Sequence, residues 1–246
     1  MSQPNHQRYY EQAIALPAEL GEVISPKTVE QELAGLSPKA KQYVYELELE
    51  RETYHREART DLLTELPNRR ALAEWVEPII ESIQRQRQHR EHRSENPPGL
   101  TLAVIDIDHF KAVNDQAGHK AGDVILKWLA HFLSDQVRAG DMVARIGGEE
   151  FVIGYAGSGS AITERINGLH QGLVEASADQ LVTWGVSDRE ALTVSIGLAE
   201  FDQTCETYDD LFLKADAALY SAKVQRNQVV AYNPNDPDMA SKVRGG

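Results

Sequence analysis

Basic charge is in short supply in this chain: 25 lysines and arginines face 38 aspartates and glutamates, for a formal net charge of −13. Such a balance offers no general footprint for nucleic acid or an anionic membrane, both of which need clustered cations. Cys205 is the single cysteine, which excludes an internal disulfide and a cysteine zinc site. No apolar stretch approaches the roughly 18 residues of a membrane span, and the start of the chain has neither the basic opening nor the apolar centre of a signal peptide. These absences lead to the expectation of a cytoplasmic protein. A Walker-type phosphate loop is missing, Gly157-Ser158-Gly159 lacks the third glycine of a dinucleotide fingerprint, and no repeat of solenoid period occurs.

What is present suits one domain with an appendage, since 246 residues at 41% hydrophobic content supply a real core. Residues 1–36 scatter Pro4, Pro17, Gly21, Pro26 and Gly35 among short helical patches. Ser37-Pro38 then has the N-cap and first-turn proline of a helix start. From there Ala40, Val44, Leu47, Arg51, Tyr54 and Ala58 recur at steps of four and three, a seam that fits either a dimeric stalk or a helix packed on its own domain. Residues 1–58 are accordingly read as an N-terminal helical segment, 59–234 as the main domain and 235–246 as a flexible tail.

Within the main domain the pattern predicts a helix over 71–87 running into a polar connection over residues 81–99, whose four arginines are nearly balanced by three glutamates, a solvated helix end and loop. A β-branched strand follows over Leu100–Ile107, then a polar turn through Gly118 and Gly122. A helix is expected near 120–137, and strands at Met142–Ile146 and Phe151–Tyr155 form a hairpin. Helices near 160–177 and 208–223 and strands at Leu192–Leu198 and Val229–Tyr232 complete an α/β sandwich.

Chemistry concentrates in the run Arg145-Ile146-Gly147-Gly148-Glu149-Glu150-Phe151, where two glycines and two carboxylates sit between apolar strands. By itself such a turn is usually a solvated bend. Asp106 changes that, because it ends an apolar strand. If that strand lies beside the hairpin, the carboxylates converge, and clustered hard oxygens suit Mg²⁺, with Mn²⁺ as the alternative. Two such ions can serve an in-line displacement at phosphorus.

The string Asp106-Ile107-Asp108-His109-Phe110-Lys111-Ala112-Val113-Asn114-Asp115, with Gly118-His119-Lys120-Ala121-Gly122-Asp123 and Gly147-Gly148-Glu149-Glu150-Phe151, resembles the GGDEF-domain diguanylate cyclases, in a GGEEF form. Asp61-Leu62-Leu63-Thr64 with Pro67-Asn68-Arg69 looks like the opening of that domain, and Thr193–Gly197 and Ala215–Lys223 fit its later strand and last helix. The resemblance covers about residues 59–233. It implies a palm-like mixed β-sheet flanked by helices, of the nucleotide cyclase kind, that condenses two GTP into cyclic di-GMP and two pyrophosphates. Two chains would face each other as a homodimer, each holding one GTP.

By the same resemblance, Asp106, the Ile107 carbonyl and Glu149 would hold the metal ions, with Glu150 in the same constellation. Asn114 and Asp123 would read guanine, whose N1–H and 2-amino group a carboxylate can accept together and adenine cannot offer. Phe110 and Lys111 would begin the turn around the phosphates, Lys223 and Arg226 would bind terminal phosphates, and Arg145 sits next to the acidic turn. Arg138-Ala139-Gly140-Asp141 resembles the RxxD inhibitory site that grips the cyclic product, with Arg165 as the candidate second arginine. Two departures stand out. Glu65 replaces a usual glycine, and Lys223-Val224-Gln225-Arg226-Asn227 is one residue shorter than the usual Lys-x-x-Gly-Arg-Asn, which turns Arg226 by about 100° on a helix. The alternatives are a catalytically inactive sensor of cyclic di-GMP, a cyclase that also accepts ATP, and a docking role for residues 1–58.

Overall fold

The computed structural model describes residues 56–88 and 99–244, together with Gln42, Glu46, Leu49, Thr53 and Tyr54. Contacts divide the chain into residues 1–60 and 61–246. In the first unit the described residues up to Glu57 are helical, with Gln42 Nε2 donating to Glu46 Oε1 at 3.0 Å and Tyr54 exposed. The expected start at Ser37-Pro38 and the seam positions Ala40, Val44, Leu47 and Arg51 lie outside the described residues.

The second unit runs α1 (Arg69–Gln88), β1 (Thr101–Ile107), α2 (Phe110–Ala117), α3 (His119–Gln136), β2 (Met142–Gly147), β3 (Glu150–Tyr155), α4 (Ser160–Ala178), α5 (Leu181–Trp184), β4 (Val194–Glu200), α6 (Tyr208–Gln225), β5 (Val229–Ala231) and α7 (Pro237–Arg244). The strands form one mixed sheet in the order β2-β3-β1-β4-β5. β1 is antiparallel to both β3 and β4, and only β4 and β5 run parallel. This is the palm-like mixed sheet that the family resemblance implied.

Period-two alternation in β1 sorts the core into two layers. Ala103, Ile105 and Ile107 meet α3 and α4 through Ile125, Leu129, Ile166 and Leu169. Leu102 and Val104 meet α1 and α6 through Leu72, Val76, Leu211, Ala215 and Leu219. Gly197 lets α6 lie directly on β4, since a Cβ there would stand 2.1 Å from the Leu219 nitrogen. A capping box between Thr207 and Asp210 starts α6, so this helix is fixed at its beginning and along its length.

Two expectations need correction, and one element was not anticipated. The polar stretch before Gly118 is not a turn but the helix α2, because Phe110 and Val113 bury one face of it and Gly118, at φ 84°, ends it. Residues 181–184, which carried no prediction, make the short helix α5, whose Leu181 and Trp184 are buried. The expected flexible tail contains α7, packed on α6 with Met239 buried and the Lys242 ammonium 3.4 Å from the Tyr220 ring centre.

Candidate active site

Asp106 continues the α1/α6 side of β1, directly opposite Glu150 of β3 and Ser195 of β4. The tight turn between β2 and β3 falls on Gly148 and Glu149, which starts β3 at Glu150 and gives that side chain the same face as Asp106. Burial pushes the Glu150 carboxyl above its usual range, and the nearby charges of Asp106 and Asp216 push it further, against a smaller pull from Arg69. Burial, helped by the charge of Asp108, likewise raises Asp106, against the opposing pull of Lys223. Carboxyls pushed upward by burial and by one another mark a site short of positive charge.

The cation that is present comes from the end of α6. Lys223 Nζ contacts the Asp106 carboxylate, donates to Asp108 Oδ1 at 3.0 Å, and lies 3.4 and 3.5 Å from the carbonyl oxygens of Asp106 and Ile107. Asp108 is fully buried and saturated, accepting also from Ser195 Oγ at 2.7 Å and from the Asn227 N–H at 2.9 Å. Burial alone would raise its pKa; the three donors outweigh that and hold it below the usual range. Asp108 was not among the predicted site residues, although its place two residues after Asp106, on the same face of an extended strand, was the available signal.

The shortened junction after Lys223 has a specific backbone solution. Arg226 caps α6 at φ 60°, ψ 177°, and Asn227 follows at φ 47°. The first pair of angles belongs to a region almost reserved for glycine. Arg226 thus takes backbone angles that favour glycine, the residue that the shortened motif lacks, and the tight turn is what delivers the Asn227 N–H to Asp108. Despite the deletion, the Arg226 charge still reaches Asp106 and lowers its pKa.

Beside the carboxylates lies an open cleft of about 580 Å³, whose lining includes Phe110, Lys111, Asn114, Asp123, Arg145 and Glu149. Gly122 makes room for Asn114: a Cβ at position 122 would stand 1.9 Å from Asn114 Oδ1. Asn114 on α2 and Asp123 on α3 therefore share one wall, with Glu149 on the turn. At the start of α2, His109 has a left-handed φ of 57° and makes no side-chain cap, so the first N–H groups of the helix are left to an anion or to water. Arg145 lines the cleft but spends its guanidinium on Asp61 Oδ1 at 2.8 Å and on the Gly148 carbonyl at 2.7 and 3.1 Å. It braces the acidic turn. Burial would raise Asp61, yet hydrogen bonds from Thr64 and Arg145 bring it below the usual range.

Arg138, Asp141 and Arg165 come together at the far end of β2. Asp141 is buried; its carboxylate accepts from the Arg138 N–H at 3.2 Å, the Ala156 N–H at 3.2 Å and the Arg165 guanidinium at 2.8 Å. Arg165 also stacks 4.9 Å from the Tyr155 ring centre. The Arg138 side chain is exposed.

The residues fit a divalent cation that arrives with substrate. Among the described residues no group of three or more His, Cys, Asp or Glu side chains is gathered into a ready cage. Mg²⁺ rarely uses one, taking one or two carboxylates plus substrate phosphates. Asp106, the Ile107 carbonyl and the turn glutamates supply oxygen only, and an ammonium group already stands among the first two of these.

Residues 58–228 match the family described as diguanylate cyclase, GGDEF domain. The chain belongs to this family. Diguanylate cyclase DgcP of Pseudomonas aeruginosa is 35% identical over 205 residues, covering 79% of this chain and 28% of the relative. Diguanylate cyclase DosC of Escherichia coli is 36% identical over 183 residues, covering 74% of this chain and 37% of the relative. The chain therefore spans about a quarter to two fifths of the length of these two curated relatives. Among solved structures, the coiled coil and GGDEF domain of DgcB from Caulobacter crescentus, in complex with c-di-GMP, is 27% identical with a TM-score of 0.62, and the match covers 83% of this chain and 99% of that one. The active GGEEF domain of a diguanylate cyclase from Vibrio cholerae is 27% identical with a TM-score of 0.54, covering 68% of this chain and 98% of that one. No helix among the described residues of this GGDEF protein is long and apolar enough to cross a membrane.

Proposed function

We propose that this chain is a diguanylate cyclase of the GGEEF form, joining two GTP into cyclic di-GMP with release of two pyrophosphates. The observation that carries the proposal is Asp106 facing Glu150 across the β1–β3 register, next to a cleft walled by Asn114, Asp123 and Glu149. Asp123 and Asn114 recognise the guanine edge, and the N-terminus of α2, with Lys111, meets the phosphates. Asp106, the Ile107 carbonyl, Glu149 and Glu150 hold Mg²⁺, which when bound offsets charge on the phosphates and favours in-line displacement.

One chain positions one GTP, so a second copy brings the partner nucleotide. Each 3′-hydroxyl attacks the α-phosphorus of the other GTP, its proton passing to a carboxylate of the Glu149-Glu150 turn, and the α–β phosphoanhydride breaks as pyrophosphate leaves. Holding the two nucleotides in that geometry supplies much of the acceleration. The N-terminal segment, residues 1–58, is the element proposed to bring two domains face to face. Arg138, Asp141 and Arg165 form the proposed product site, with the exposed Arg138 guanidinium free to turn toward a phosphate.

The test is purified protein with GTP and Mg²⁺ over a range of protein concentrations, followed by chromatography for cyclic di-GMP and pyrophosphate. Turnover that rises faster than protein concentration and is abolished by Glu149→Ala and Glu150→Ala is expected. Absence of product throughout, with tight cyclic di-GMP binding that Arg138→Ala removes, would establish the inactive sensor instead.

A further inference from the structure

Lys223 stands where a divalent cation is proposed to bind. Its ammonium contacts the Asp106 carboxylate and lies 3.5 Å from the Ile107 carbonyl, two of the proposed metal ligands. An ammonium and a divalent cation compete for those oxygens, because both are positive and the pocket is partly shielded from water. Asp108 differs from Asp106 in a way that matters. It is fully buried, and Ser195 and the Asn227 N–H fix it independently of Lys223. It therefore stays a stationary anion 3.0 Å from Nζ whether or not Asp106 is engaged elsewhere.

We propose that Lys223 is a resident counter-ion of the unloaded site, exchanged for the divalent cation on loading, and that Asp108 is the post on which it pivots. In the unloaded chain Lys223 neutralises Asp106 and keeps the ends of β1 and α6 together. On loading, Lys223 yields the Asp106 and Ile107 oxygens, keeps Asp108, and turns its remaining donors toward the incoming phosphates. Asp108 is thus a positioning residue that touches neither metal nor nucleotide. Lysine suits this exchange better than arginine, being a compact charge with rotatable donors on a flexible stem. The inference rests on the metal assignment under the proposed function.

Binding of Mn²⁺ to nucleotide-free protein, read by electron paramagnetic resonance, tests the exchange without turnover. Lys223→Met is expected to bind Mn²⁺ about tenfold more tightly than the parent or better, since a competing charge is gone. It should also melt at a lower temperature in chelator, with Mn²⁺ restoring the difference. Asp108→Asn is expected to bind Mn²⁺ several-fold more weakly than the parent, because the displaced ammonium then has no anion to keep. A fold defect would weaken binding in both variants, so opposite directions are the signature. Equal or weaker Mn²⁺ binding by Lys223→Met and by the smaller change Lys223→Gln overturns the exchange. Binding that survives Asp106→Asn unchanged overturns the metal assignment itself.

Discussion

Replacing Arg226 by glycine separates two things that this residue does at once. Its backbone, at φ 60° and ψ 177°, occupies a region that costs a non-glycine residue about 1–3 kcal/mol. Glycine removes that cost but adds freedom to the unfolded chain, worth about 0.4–1 kcal/mol in the other direction. The net expectation is a gain of roughly 0.5–2 kcal/mol, or about 2–6 °C in melting temperature for a domain of this size. The same change deletes a cation whose charge reaches Asp106. Affinity for a non-hydrolysable GTP analogue with Mg²⁺ should therefore fall while stability rises. Calorimetry and urea unfolding give the first quantity, and titration calorimetry the second. Arg226→Lys is the control, keeping both strain and charge. An unchanged or lower melting temperature for Arg226→Gly would refute the argument that the shortened junction stores strain at this position.

Glu65, at φ 61° where related motifs carry glycine, should respond in the same sense: Glu65→Gly is expected to raise the urea midpoint by the equivalent of about 1 kcal/mol, and a lower midpoint would count against the reasoning. Gly122→Ala places a methyl group onto Asn114 Oδ1 while improving helix propensity, so GTP-analogue affinity should drop about tenfold or more with melting temperature nearly unchanged; a large loss of stability would mean that Gly122 serves packing instead. Asp202 pairs with the buried Lys214 at 2.9 Å; burial opposes its ionisation, but Thr204 and Lys214 outweigh it and push the carboxyl down to about 2. A depressed carboxylate stabilises above its unfolded pKa and ceases to do so as pH falls through its folded pKa. Asp202→Asn should thus be less stable than the parent at pH 6, by a modest margin since Asp202 is half-exposed, and the gap should close between about pH 4 and about pH 2. A gap that persists at pH 2 would show that the loss is not electrostatic.

Most strands and long helices were legible because each rests on a local pattern: a β-branched apolar run over residues 100–107, a helical stripe through Ile125, Trp128, Leu129 and Phe132. The helix α2 was not, because its eight residues carry only Phe110 and Val113 as buried positions and read as a polar turn. The acidic turn and Asp106 were singled out by residue type and spacing, and Asn114 and Asp123 through the family resemblance. Asp108 was passed over, since nothing local marks which of two aspartates on one face will be sealed from solvent.

The sequence by itself determined the inventory: which carboxylates, glycines and cations exist, and in which order the elements carrying them follow one another. Tertiary structure decided who meets whom. The β1–β3 register put Glu150 opposite Asp106, and the close approach of α6 over Gly197 carried Lys223 some 115 residues along the chain to Asp108. The backbone angles of Arg226 and Asn227 then closed the turn that holds Asp108 in place. Register and helix approach are set by packing summed over whole faces, which is why no short stretch of residues announces them.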